Sequence, residues 1–191
     1  MRQLLTMSAG FPQDDPWADR QLAAAEDQLS AWMKQGITFS NPPGVKYEYS
    51  NFGFAILGRI VTNLAGMPYQ KYVTEKILKP LGMTSSTFDI HAVDPKRLAM
   101  GYQRIDEQWV EDTPLPDGAF ASIGGLFTTV NDFAKYMAYL LAAFPARDEA
   151  ESGPVRRSSL REMMTPHRQR IISSSRKTPD MPAWYTSDGY G

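Results

Sequence analysis

Tyr49, Ser50 and Asn51 are the residues of this chain whose types and spacing point most directly to chemistry. A phenol and a carboxamide two positions apart on a rigid element offer a proton-transfer group beside a hydrogen-bond anchor. The same triplet precedes a strongly apolar run, so its hydroxyl and amide could equally cap a helix by accepting from unpaired first-turn N–H groups. Spacing alone leaves both readings open.

The elements around the triplet would hold it firmly. Asn41-Pro42-Pro43-Gly44 forms a stiff approach, because proline fixes φ and the residue before it avoids helix. Residues 51 to 65 then read as a helix, with Ile56, Leu57, Ile60, Val61 and Leu64 on one broad side and Gly66 as the stop. This pattern predicts a largely buried helix, and Gly53 and Gly58 would let a neighbour approach closely.

Upstream, Met1 to Met7 reads as a short helical piece ended by Ser8-Ala9-Gly10. Asp15-Pro16 predicts an N-cap and first turn, followed by an apolar stripe through Leu22, Ala25, Leu29, Trp32 and Met33 as far as Gly36. Downstream, Pro68 opens a helix through Leu78, which Pro80-Leu81-Gly82-Met83 closes. Residues 98 to 111 predict a small β-hairpin around Asp106-Glu107-Gln108.

Pro114, Pro116 and Gly118 mark a loop leading to Ser122-Ile123-Gly124-Gly125, where a tight turn explains the glycine pair. Thr129 and Asp132 approximate a capping box before Val130, Phe133, Met137, Leu140, Leu141 and Phe144 at helical spacing. Residues 145 to 157 are charged and small and read as a flexible linker. Ser159 and Glu162 suggest a second cap, for a short helix ending at Met164. From Ser173 to Asp188 the tail carries only loop signals, and Gly189-Tyr190-Gly191 stands where a strand could begin. The fold class expected is mainly α with one hairpin.

Composition narrows the function classes. The 191 residues are 42% hydrophobic and 21% charged, which suits a packed core and argues against wholesale disorder. Twenty basic and 21 acidic residues intermingle to a net charge of −1, giving no field that would gather nucleic acid or an anionic membrane. The chain has no cysteine, so thiol catalysis, disulfides and thiolate-bound metal are excluded. His91 and His167 lack a metal-ligand spacing, and no metal or cofactor is expected. No apolar run approaches a membrane span, and the first residues lack a signal-peptide core, so the compartment stays undetermined. The four tryptophans, Trp17, Trp32, Trp109 and Trp184, read as core or rim residues.

The blocks LLTMSAGFP, YEYSNFGFAILGRIV, ILKPLGMTSSTFD, GGLFTTVNDFAKYM and SLREMMTP, in this order, resemble the serine β-lactamase family of the class C type, which includes DD-peptidases and related esterases. The resemblance runs from about residue 2 to 167. It implies that Tyr49-Ser50-Asn51 is the family's YxN motif, with Tyr49 moving a proton to or from a serine nucleophile and Asn51 holding a lysine or the substrate amide. A free phenol titrates near about 10, so that role needs neighbouring cations. Tyr102 and Ser122 would edge the substrate cleft.

By the same resemblance the SxxK motif would lie upstream of LLTMSAG and a KTG-like or HxG motif downstream of Tyr190. The literal SxxK at Ser174-Ser175-Arg176-Lys177 stands in a polar run after the wrong blocks and is discounted. The expectation is therefore the helical domain of a β-lactamase/transpeptidase-like fold: a helical body over 1–144, the linker over 145–157 and a tail over 158–191. Its substrate would be a β-lactam, a D-Ala-D-Ala peptide or an ester in the complete enzyme. The chain alone would be inactive, and its uncovered apolar face could support self-association. The alternatives are a non-catalytic binding module on the same scaffold and an unrelated helical protein. No GxSxG elbow is present to suggest an α/β-hydrolase.

Overall fold

The computed structural model describes residues 1–13 and 21–167. Along the chain stand α1 (Arg2–Leu5), α2 (Glu26–Gln35), α3 (Asn51–Ala65) and α4 (Tyr69–Val73), the last continued by a π-helical turn, Thr74–Leu78. Two 3₁₀ turns, Ile90–Ala92 and Pro95–Arg97, precede the hairpin of β1 (Gly101–Ile105) and β2 (Gln108–Asp112). Helices α5 (Val130–Leu141) and α6 (Arg157–Met163) complete the order.

The termini of α3 obey local chemistry. Ser50 is extended, and its Oγ accepts from Gly53 N at 3.2 Å, occupying one of the unpaired first-turn donors. At the other end Gly66 takes φ +63°, the left-handed turn that glycine adopts without penalty. The expected helix of residues 51 to 65 is present at both ends.

Its burial differs from the expectation. The buried residues of α3 are Asn51, Phe52, Gly53, Ala55 and Gly58, whereas Ile56, Leu57, Ile60 and Val61 are half-buried and Leu64 is 82% exposed. Among the described residues the helix buries its amino-terminal end and a small-residue ridge, and leaves most of its branched side chains partly open.

The small residues have a packing reason. A β-carbon on Gly58 would stand 2.5 Å from Ser122 Oγ, so only glycine admits that neighbour. On an adjoining side, Leu4 and Phe11 pack over Gly53. Helix α2 is tied to α3 by an Arg59–Glu26 ion pair and by Arg59 Nη2 donating to Ser30 Oγ at 2.9 Å.

Phe120 and Leu29 are fully buried at the centre of the main core, with Ala24, Phe52, Ala55 and Ala119 around them. Trp32 meets Phe120 edge-on with centroids 6.0 Å apart, a favoured aromatic geometry. A second cluster joins Leu78, Met83, Phe88 and Ala121, flanked by Tyr69 and Tyr136. Burial pushes the phenols of both Tyr69 and Tyr136 above their ordinary range.

Two helices differ from the expected bounds among the described residues, and one capping box forms only in part. Of the helix forecast from Asp15-Pro16 to Gly36, the described part is helical over Glu26–Gln35, after a turn at residues 21–23, and Gln28 Oε1 accepts from Ala25 N at 2.9 Å at its start. Asp15 and Pro16 themselves lie outside the described residues. Helix α6 begins at Arg157, ahead of Ser159, because Glu151 Oε2 accepts from Arg157 N at 3.0 Å and caps the turn from outside. At α5 only half of the capping box forms. Thr129 Oγ1 accepts from Asp132 N at 3.2 Å, but the Asp132 carboxylate turns away to Ser85, Ser86 and Lys135.

The hairpin stands where expected, with Asp106 and Glu107 at φ +46° and +64° making its two-residue turn. Every residue of both strands is exposed, including Trp109 at 70%, which places that tryptophan outside the core. Residues 149–157 are tied down by Arg157, whose guanidinium donates to the carbonyls of Glu149 and Ala150, and by the Tyr139 hydroxyl, which bonds both Val155 N and Val155 O at 2.8 Å. No helix among the described residues is long and apolar enough to cross a membrane.

Candidate active site

The amino-terminal segment positions Tyr49. Residues 7 to 10 run beside residues 40 to 48, and Ser40 N donates to Gly10 O, Gly44 N to Ser8 O and Glu48 N to Met7 O at 2.7 to 2.9 Å. Gly10 takes φ +86°, and a β-carbon there would meet Asn41 O at 2.2 Å, so glycine is required by both conformation and space. Ser50 N then donates to Met7 Sδ at 3.3 Å. Phe11 stacks on Phe39 at 5.4 Å and meets Phe52 edge-on at 5.8 Å, closing the segment over the start of α3.

With its backbone held in this way, the half-buried Tyr49 donates from its hydroxyl to Asn51 Oδ1 at 3.1 Å. Asn51 is 5% exposed and is the first residue of α3. Within the triplet, Ser50 caps the helix, and Tyr49 and Asn51 are joined to each other. Beside them, hydrogen bonds from Ser40 and then Asn41 hold the Glu48 carboxyl below its usual range, with Lys46 adding a smaller charge effect.

Ser122 and Tyr102 stand elsewhere. The Ser122 hydroxyl donates to Phe54 O at 2.8 Å and lies against Gly58, a contact that fixes the 119–123 turn to α3. Tyr102 is 55% exposed on β1, and its hydroxyl is 3.3 Å from Glu111 Oε2 across the strand pair. The structure joins Tyr49 to Asn51, and the contacts of Tyr102 and Ser122 are made within the hairpin and with α3 respectively. The literal SxxK at 174–177 lies outside the described residues.

Asp132 is a polar group that sequence reasoning treated only as half of a cap. It is 2% exposed, and its carboxylate accepts from Ser85 N at 2.7 Å, Ser86 Oγ at 2.9 Å and Lys135 Nζ at 2.7 Å. These partners, Lys135 first, hold its carboxyl below the ordinary range against the opposing effect of burial. The i, i+3 spacing of Asp132 and Lys135 was the one sequence signal for it. Among the described residues no group of three or more acidic or histidine side chains is arranged to hold a metal ion.

The Tyr49–Asn51 pair thus stands at the buried amino-terminal end of α3, in a set of described elements made of helices and one hairpin. The chain belongs to the Beta-lactamase family, whose model matches residues 1–191. It is 31% identical over 150 residues to Beta-lactamase-like protein 2 of Dictyostelium discoideum, a match covering 75% of this chain and 27% of that protein. Among solved structures, the octameric penicillin-binding protein homologue from Pyrococcus abyssi superposes with a TM-score of 0.74 at 27% identity, covering 99% of this chain and 42% of that one. A class C beta-lactamase shares the fold with a TM-score of 0.60 at 21% identity, covering 74% of this chain and 37% of that one. The chain thus has a β-lactamase/transpeptidase-like fold and spans roughly a quarter of the length of that curated relative.

Proposed function

We propose that this chain supplies the helical wall of a serine acyl-transfer site, acting on a β-lactam, a D-Ala-D-Ala-type amide or a small ester. A serine hydroxyl attacks the acyl carbonyl, its proton passes to a neighbouring base and the leaving group takes up a proton; water then hydrolyses the acyl-enzyme. Tyr49 moves the proton at the leaving group, and Asn51 orients the phenol and the substrate amide. The observation that carries this reading is the Tyr49–Asn51 hydrogen bond on a backbone fixed by the 7–10 segment. Such positioning is what general acid–base chemistry requires of its participants. Membership of the family supports it.

Residues 1–144 form the helical domain in this proposal, 145–157 connect, and 158–191 lead towards an α/β domain. The serine and the cation that lowers the phenol pKa come from polypeptide outside these 191 residues, so the chain alone does not acylate. Its α5 face, with Val130 86%, Phe133 51% and Leu141 62% exposed, is covered in the complete protein and drives self-association of the isolated chain.

The test uses a fluorophosphonate probe and a chromogenic cephalosporin. The longer polypeptide containing this sequence becomes labelled at a serine preceding residue 1, and Tyr49→Phe slows its turnover about 10²–10⁴-fold. Labelling of the 191-residue chain at Ser174, or full turnover by Tyr49→Phe, would overturn the proposal.

A further inference from the structure

A cleft of about 580 Å³ opens between residues 84–87 and 126–129 on one side and residues 92–99 on the other. It shares no lining residue with the Tyr49–Asn51 pair. Its volume falls within the range of small-molecule sites, roughly 300–1,000 Å³.

The wall of this cleft is rigid. Thr87 and Phe127 exchange backbone hydrogen bonds of 2.9 and 2.8 Å, and Ser86 Oγ bonds Thr128 Oγ1 at 2.8 Å. Behind the wall, the buried Asp132 carboxylate fixes Ser85 N and Ser86 Oγ. A pre-formed wall spares a ligand the cost of ordering it.

The lining has a specific chemical character. Consecutive hydroxyls at residues 84 to 87, with those of Thr128 and Thr129, face a base containing Leu98, Leu126 and Phe127. Arg97 and Asp94 stand on the opposite side, so the one cation is offset by one carboxylate. The Asp132 charge behind the wall is likewise matched by Lys135. The hydroxyls of Ser86, Thr87, Thr128 and Thr129 already bond within the protein, so the polar groups a ligand would meet are chiefly the exposed Thr84 and Ser85 hydroxyls and the Arg97 guanidinium. An anionic ligand gains no net field here, and a purely apolar one would strip water from these groups without replacing its hydrogen bonds.

A pyranose ring meets these conditions. Its C–H face can lie on leucine side chains and the half-buried Phe127 ring, its vicinal hydroxyls match the two-pronged geometry of a guanidinium and a carboxylate, and its edge exchanges hydrogen bonds with serine and threonine. We propose that this cleft binds a neutral saccharide, at a site separate from the acyl-transfer wall and independent of that reading.

The experiment is calorimetric titration of the 191-residue chain with cellotetraose, maltotetraose and chitotetraose, with inorganic phosphate as the anionic comparison. Hydrogen-exchange mass spectrometry locates the site. The expected result is saturable binding of at least one tetrasaccharide with Kd near or below about 1 mM. Protection should be confined to peptides covering 84–99 and 126–129. Arg97→Ala and Thr84→Val change exposed residues and should each weaken binding about ten-fold or more without altering the unfolding midpoint. Non-saturating heats with all three sugars, protection elsewhere, saturation by phosphate alone, or unchanged affinity in both variants would each overturn the proposal.

Discussion

Tyr49 donates its phenolic proton to Asn51 Oδ1 at 3.1 Å, two residues along a chain that turns into α3 between them. The intervening Ser50 accepts from Gly53 N and caps that helix. Three adjacent polar residues thus divide two jobs, which makes their substitutions separable.

Ser50→Ala should cost about 1 kcal/mol through loss of the cap. Tyr49→Phe should cost no more than about 1.5 kcal/mol, the worth of one hydrogen bond. Urea unfolding of both variants checks the pair, and a loss from Tyr49→Phe well above about 1.5 kcal/mol would mean that the phenol is chiefly structural.

Gly58 and Ser122 form a second measurable pair. Gly58→Ala puts a methyl 2.5 Å from Ser122 Oγ and should destabilise by about 1–3 kcal/mol, although alanine favours helix. Ser122→Gly clears that space but removes the bond to Phe54 O. The double variant should therefore be less destabilised than the sum of the two, a coupling that a double-mutant cycle in urea would read.

Asp132 predicts an acid-side dependence. Its folded carboxyl titrates below the ordinary value near about 3.9, so the stability it contributes is complete above that value and is lost as pH falls through its lower folded pKa. Asp132→Asn should lose about 1–3 kcal/mol at pH 7, from weakened bonds to Ser85, Ser86 and Lys135. The gap between variant and parent should narrow below about pH 4, which unfolding curves from pH 7 to 3 would show.

The α5 face offers a solution test. Phe133→Glu with Leu141→Lys places charge on two of its exposed apolar positions and should shift the isolated chain towards monomer in sedimentation velocity. An unchanged distribution would place self-association on another surface.

Signals confined to one or two turns were legible in the sequence. Ser50 and Gly66 bound α3, Asp106-Glu107 turns the hairpin and Thr129 starts α5, because each acts on backbone groups within a few residues. The Tyr49–Asn51 pair was legible for the same reason. Signals that depend on a distant partner were not. Glu151 caps α6 from six residues away, and Asp132 abandons its cap for Ser85, 47 residues back. Apolar periodicity correctly marked α3 and α5 as helices, but which face is covered depends on what packs against it, and Leu64 and Val130 are among the most exposed large apolar side chains described.

The Ser122–Phe54 bond also bears on how the protein is born. Its two residues are 68 positions apart, so at ribosomal rates of roughly 5–20 residues per second the α3 sequence waits about 3 to 14 s before its partner is synthesised. Throughout that interval the ridge around Gly58 is a bare surface on a nascent polypeptide.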